Sequence, residues 1–166
     1  MNPLAIAKRV LDTLERDASL QAAVGSFEVG DRPKYEYGER FPLVRASPSR
    51  APVHRRIVGT LGNPDRHPPV ETTVPIEVAV VTAVSATNEM AQESAWAIAG
   101  LVEGALARNA RLADADGGDR LCHTLKVMTK RRHGPNIGTD REALTVVAMA
   151  SILEDLGALP NSGEGA

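Results

Sequence analysis

Between residues 72 and 112 the hydrophobic period of the chain changes from two to about 3.6, and this constrains the fold more than any other feature. In TTVPIEVAVVTAV, Ile76, Val78, Val80, Thr82 and Val84 alternate with Glu77, Ala79, Val81 and Ala83. That pattern predicts a strand with one apolar face and one small, nearly apolar face. The next stretch, 87-TNEMAQESAWAIAGLVEGALARNARL-112, places Ala91, Ala95, Ile98, Val102, Ala105 and Leu106 on one helical stripe. Thr87 or Asn88 can cap this helix, Glu89 complements its N-terminal dipole, and Arg108 and Arg111 suit its C-terminal end. The Ala-rich stripe lets the helix lie close to a sheet.

The flanking segments complete the pattern. Asn2 followed by Pro3 predicts a helix start, and Ile6, Val10, Leu11 and Leu14 continue at helical spacing. Asp17 can cap a short second turn through Leu20, Ala23 and Val24, with Gly25 closing it. After the loop 114-DADGGD-119, Leu121, His123, Leu125 and Val127 alternate with Cys122, Thr124, Lys126 and Met128. Beyond Gly134–Pro135, Leu144, Val146, Ala148 and Ala150 alternate with Thr145, Val147, Met149 and Ser151. These two runs predict an antiparallel pair joined by a basic turn, Lys130, Arg131, Arg132 and His133. Helix and sheet segregate, so the expected class is α+β. A mostly antiparallel sheet carries the long helix on one face, beside an N-terminal helix and a Pro/Arg-rich arm.

Residues 30–70 are the expected arm or loop-rich insertion within a single domain spanning 1–166. Eight of the eleven prolines fall between Pro33 and Pro75, and arginines including Arg45, Arg50, Arg55 and Arg56 are scattered there. Short extended runs are expected at Phe27–Val29, Phe41–Ala46 and Val53–Leu61. Because proline donates no ladder bond, they are expected as edge strands or arms. The tail, 157–166, is small and polar and is expected to be flexible.

Sites of chemistry are weakly marked. The four histidines make no metal-binding spacing, and the glycines make no phosphate-binding loop. The single Cys122 has no marked base beside it, and reads as a small buried hydrophobe. No catalytic residue, metal or cofactor is expected. The net charge of −2 and 3% aromatic residues argue against a free-standing nucleic-acid binder. No stretch approaches the ~20 apolar residues of a membrane span. The basic cluster can touch phosphates without reading sequence, meet an acidic partner, or stand as a solvated hairpin end.

The start VLDTLERDASLQAAVG, the middle PIEVAVVTAVSATNEMAQESAWAIAGLVEGALARNARL and the end LCHTLKVMTKRRHGPNIGTDREALTVVAMAS together resemble the tail-terminator (tail-completion) proteins of long-tailed bacteriophages and related gene-transfer particles. The resemblance covers most of the chain and rests on pattern; the stretch from Arg32 to Val70 departs from the compact members. It implies a non-enzymatic virion subunit, assembled in the host cytoplasm, that forms a ring, commonly of six copies. Such a ring caps the tail tube protein, meets a head-connector (stopper) protein and lets DNA pass transiently. In that setting Lys130, Arg131, Arg132 and His133 would face the lumen or a neighbouring ring. Arg45, Arg50, Arg55 and Arg56 would lie on an intersubunit arm. A head-completion or connector adaptor of the phage neck, and a small nucleic-acid-binding regulatory module, are the alternatives.

Overall fold

The computed structural model describes residues 2–30, 40–58, 69–83, 88–114, 118, 120–133 and 141–154. Two short helices lead: α1 (Pro3–Glu15) and α2 (Ala18–Ala23). The strands β1 (Ser26–Val29), β2 (Leu43–Pro48), β3 (His54–Ile57) and β4 (Val70–Ala83) follow. The long helix α3 (Asn88–Arg108) comes next, then β5 (Thr124–His133) and β6 (Arg141–Glu154). The expected α+β architecture is the observed one. One six-stranded, mostly antiparallel sheet runs β1-β2-β4-β6-β5, with β3 also paired to β4.

Local sequence accounts for the helix ends. Asn2 Oδ1 accepts the Leu4 N–H at 3.0 Å, and Pro3 opens α1 where no N–H is required. Asp17 caps α2 by accepting from the Ser19 and Leu20 amides. Burial raises the Asp17 carboxyl pKa, but the Arg108 hydrogen bond, these two amides and the Arg108 charge leave it net below its ordinary value. The Arg108 ion pair thereby ties the end of α3 to the start of α2. Gly25 does not close α2 with left-handed backbone. Its role is close approach: an added Cβ would lie 2.9 Å from the Phe41 carbonyl oxygen, and its own N–H donates to Pro42 at 2.7 Å.

The even-numbered positions of β4 and β6 face the helices. Val74, Ile76, Val78 and Val80 join Leu144, Val146, Ala148, Ala150 and Ile152 in one core cluster. Ile6, Val10 and Leu14 of α1 enter it from one side, and Ala95, Ile98, Ala99, Val102, Ala105 and Leu106 of α3 from the other. The register confirms the predicted alternation, with Ile76 opposite Ala148 and Val78 opposite Val146. On the reverse face, Leu43 and Val81 are register partners and both fully buried, whereas Glu77 and Ala79 are half-buried.

Of the three runs expected as edge strands or arms, β1 and β3 lie at the border of the sheet as expected, and β2 departs from expectation. Strand β2 is internal, parallel to β1 and antiparallel to β4. Its prolines do not interrupt the ladder, because Pro42 precedes the strand and Pro48 is its last residue. Pro75 sits inside β4 for a related reason. A strand residue points its N and its carbonyl to the same side, and the Pro75 carbonyl accepts from Ser49 at 3.0 Å, just past the end of β2. Its missing N–H therefore falls in the gap between β2 and β3, where no ladder bond is lost. Within 30–70, residues 31–39 and 59–68 lie outside the described residues, as does the tail 157–166.

Candidate functional site

The basic cluster is not at the turn. Lys130, Arg131, Arg132 and His133 are the last four residues of β5, in register with Val146, Thr145, Leu144 and Ala143 of β6. The backbone ladder runs on because β6 begins at Arg141, so the strand continues past the point where apolar alternation fades. The turn itself, 134–140, lies outside the described residues. A register shift between Val127 and Thr129 sets Met128 apart, and its side chain is 62% exposed. Such a bulge bends an edge strand and discourages indiscriminate pairing. Four consecutive basic residues thus stand on a flank of the sheet, on an element held by the β6 ladder.

The four arginines assigned to an arm separate into different environments. Arg45 is 5% exposed, in the middle of β2, where its Nη2 donates to Glu28 Oε2 at 2.8 Å and its Nε to the same oxygen at 3.2 Å. It is a buried sheet residue and not part of a projecting arm. Arg50 is exposed just beyond β2. Arg55 and Arg56 lie on β3, whose four residues are all exposed. Arg56 pairs with Glu71 of β4 at 2.8 Å, and Arg55 lies opposite Thr72. The Thr72 hydroxyl donates to Glu154 at 2.6 Å, and this bond chiefly holds the Glu154 carboxyl below its ordinary range, with the Arg55 charge contributing. Arg50, Arg55 and Arg56 share the end of the sheet where β3, β4 and β6 run together.

Cys122 is buried, and its burial pushes the thiol up to about 11. It therefore stays protonated at neutral pH, and its Sγ–H lies 3.6 Å from the Ala110 carbonyl. The alternation expected from Leu121 to Val127 holds only from Leu125, because β5 starts at Thr124 and His123 is exposed while Cys122 is buried. Among the described residues, no three His, Cys, Asp or Glu side chains gather as a metal site. Among them, too, no helix is long and apolar enough to cross a membrane.

Sequence reasoning missed the Glu28–Arg45 pair. Its only trace in the sequence is one charged residue at the centre of each of two short apolar runs. Comparison with protein-family models and with curated proteins finds no match.

Proposed function

We propose that this chain is a ring-forming structural subunit of a long-tailed phage or related gene-transfer particle. In this reading it terminates the tail tube and joins it to the head connector, and DNA passes through its lumen. What supports the reading is the element order, helix, strands, long helix and closing hairpin, as in the family the sequence resembles.

The form of the sheet carries the argument furthest. Its two flanks are unlike: β1 and β3 border one, both four residues long, and the ten-residue β5 borders the other. Contact between unlike surfaces of identical chains is heterologous, and a heterologous contact closes into a ring when the rotation permits. The basic end of β5 then meets either the next ring or the lumen. A conduit must release its cargo, so the role of these charges is to tolerate phosphates without holding them.

The Arg131→Glu, Arg132→Glu double variant tests this. In this reading the charges meet the lumen or the next ring and not the core, and substitutions outside a core usually change stability by under ~0.5 kcal/mol, so the denaturation midpoint should stay close to that of the parent. Assembly, read as sedimentation of the purified protein and as infectious titre of the particle, should fall. Parental assembly and titre would make the cluster an ordinary solvated strand end. Loss of the fold would show that these side chains belong to the packing of β5 on β6.

A further inference from the structure

The loop after α3 holds two arginines that have no counter-ion among the described residues. Arg111 and Arg120 line a cleft of about 350 Å³ together with Arg108. Both also line an adjoining cleft of about 360 Å³, whose other walls include His123, Ile152 and Leu153. Both residues are exposed. Neighbouring cations have partners: Arg108 pairs with Asp17, Arg9 donates to the Leu112 carbonyl at 3.4 Å, and Arg16 donates to the Ala113 carbonyl at 3.1 Å. Among the described residues, the guanidinium groups of Arg111 and Arg120 make no hydrogen bond or ion pair.

Their backbone is held in place. Leu112 is fully buried and left-handed, with φ at 48°. For a residue with a Cβ this conformation costs roughly 1–2 kcal/mol, and such strain persists only where the surroundings impose it. Ala113 bridges to Arg120 across the loop, and the Cys122 amide reaches the Arg111 carbonyl at 3.4 Å. Backbone pairing therefore holds both Arg111 and Arg120, which lowers the ordering cost of gripping a ligand.

The surroundings indicate what that ligand is. Two adjacent guanidinium groups suit carboxylates or phosphates, which they bind by paired N–H donors. Among the described residues, neither cleft is lined by Phe, Tyr or Trp, and only the His123 ring and the guanidinium planes offer a nucleobase a face to stack on. The second cleft instead offers an aliphatic wall, with Leu153 56% exposed. Its neighbour β5 begins at Thr124, one residue after His123, and is the last strand of the sheet. Among the described residues its outer edge has no strand partner, and Lys126 is exposed on it.

We propose that Arg111 and Arg120, together with the adjoining edge of β5, form a docking site for an extended acidic segment of a partner protein. Carboxylates of the segment bind the two guanidiniums, an apolar residue rests on the exposed Leu153, and its backbone adds to the β5 edge. The site does not depend on the ring reading.

The test titrates the full chain with three probes: a twelve-residue peptide alternating Glu with Leu and Thr, the same peptide with Lys for Glu, and a 20-base-pair DNA duplex. Amide resonances and fluorescence anisotropy report binding. The Glu peptide should bind, should perturb the amides of Arg111, Arg120 and Thr124–Met128, and should weaken at high salt. The Arg111→Glu, Arg120→Glu variant should melt like the parent and lose affinity by at least about tenfold. The site is overturned if the Glu peptide does not bind, if the double variant binds it equally well, if the Lys peptide binds as tightly, or if the duplex is the ligand the two arginines hold. If the variant melts lower, Arg111→Gln, Arg120→Gln in the folded chain replaces it, with the same loss expected.

Discussion

Ile98→Asp should cost about 3–5 kcal/mol and leave most of the protein unfolded at moderate denaturant. Ile98 is 4% exposed on the face of α3 that joins the core with Ala95 and Val102. The substitution removes a branched aliphatic side chain, worth roughly 1.5–3 kcal/mol of burial. It also places a carboxylate where the surrounding core cluster is aliphatic. A buried carboxylate escapes by protonating or by opening the structure, and either adds to the loss. Ile98→Val is the control and should cost only ~0.5–1.5 kcal/mol. Equilibrium denaturation of the two variants decides the matter. An Ile98→Asp protein that unfolds at the parental midpoint would mean that this face of α3 is not against the sheet.

Arg45→Ala should be the next most damaging change, at about 2–4 kcal/mol. Its guanidinium is enclosed in the sheet and twice bonded to Glu28. Breaking a buried ion pair by deleting one member costs about 3–5 kcal/mol, because the other charge stays behind unpaired. The expected value is lower because the Glu28 side chain keeps 21% of its surface exposed. Removing both charges at once, as in Arg45→Met with Glu28→Gln, should recover much of the loss. A double-mutant cycle in denaturant provides the measurement. This result also separates the two placements of Arg45. A residue on an intersubunit arm would spare the fold and lower assembly, whereas the sheet residue described above lowers the unfolding midpoint directly. Unchanged stability in Arg45→Ala would contradict the buried pair.

The parts of the fold legible in the sequence are those where one periodic face meets one core. The stripe from Ala95 to Leu106, the β4 alternation and the β6 alternation each repeat often enough to define a face. Asn2–Pro3 and Asp17 were legible because capping is a local event between a side chain and amides two or three residues away. Strand β2 was misjudged for the opposite reason. Only Val44 and Ala46 mark its core face, and its placement depends on a parallel neighbour, β1, and on β4 some thirty residues on. Pro42 and Pro48 looked like barriers to an internal strand, but a proline at or before a strand end removes no ladder bond. The candidate sites were less legible still. The run from Lys130 to His133 stood out as charge, yet its place on a strand follows from where β6 begins. Arg111 looked like an ordinary helix C-terminal cation, and Arg120 follows a polar loop. Only the left-handed Leu112 and the bridge from Ala113 to Arg120 bring the two together, and neither has a sequence signature.

In the proposed assembly, copies of this chain close into a ring through unlike flanks of the sheet. Native mass spectrometry of the purified full chain over a range of concentrations, with electron microscopy of the same sample, tests it most directly. The expected result is a closed species of uniform stoichiometry, six copies by the family resemblance, seen as an annulus with an open lumen. This species should be depleted in the Arg131→Glu, Arg132→Glu variant while the fold persists. A particle that remains a single copy at every concentration, or a two-fold dimer with no annular form, would contradict this assembly.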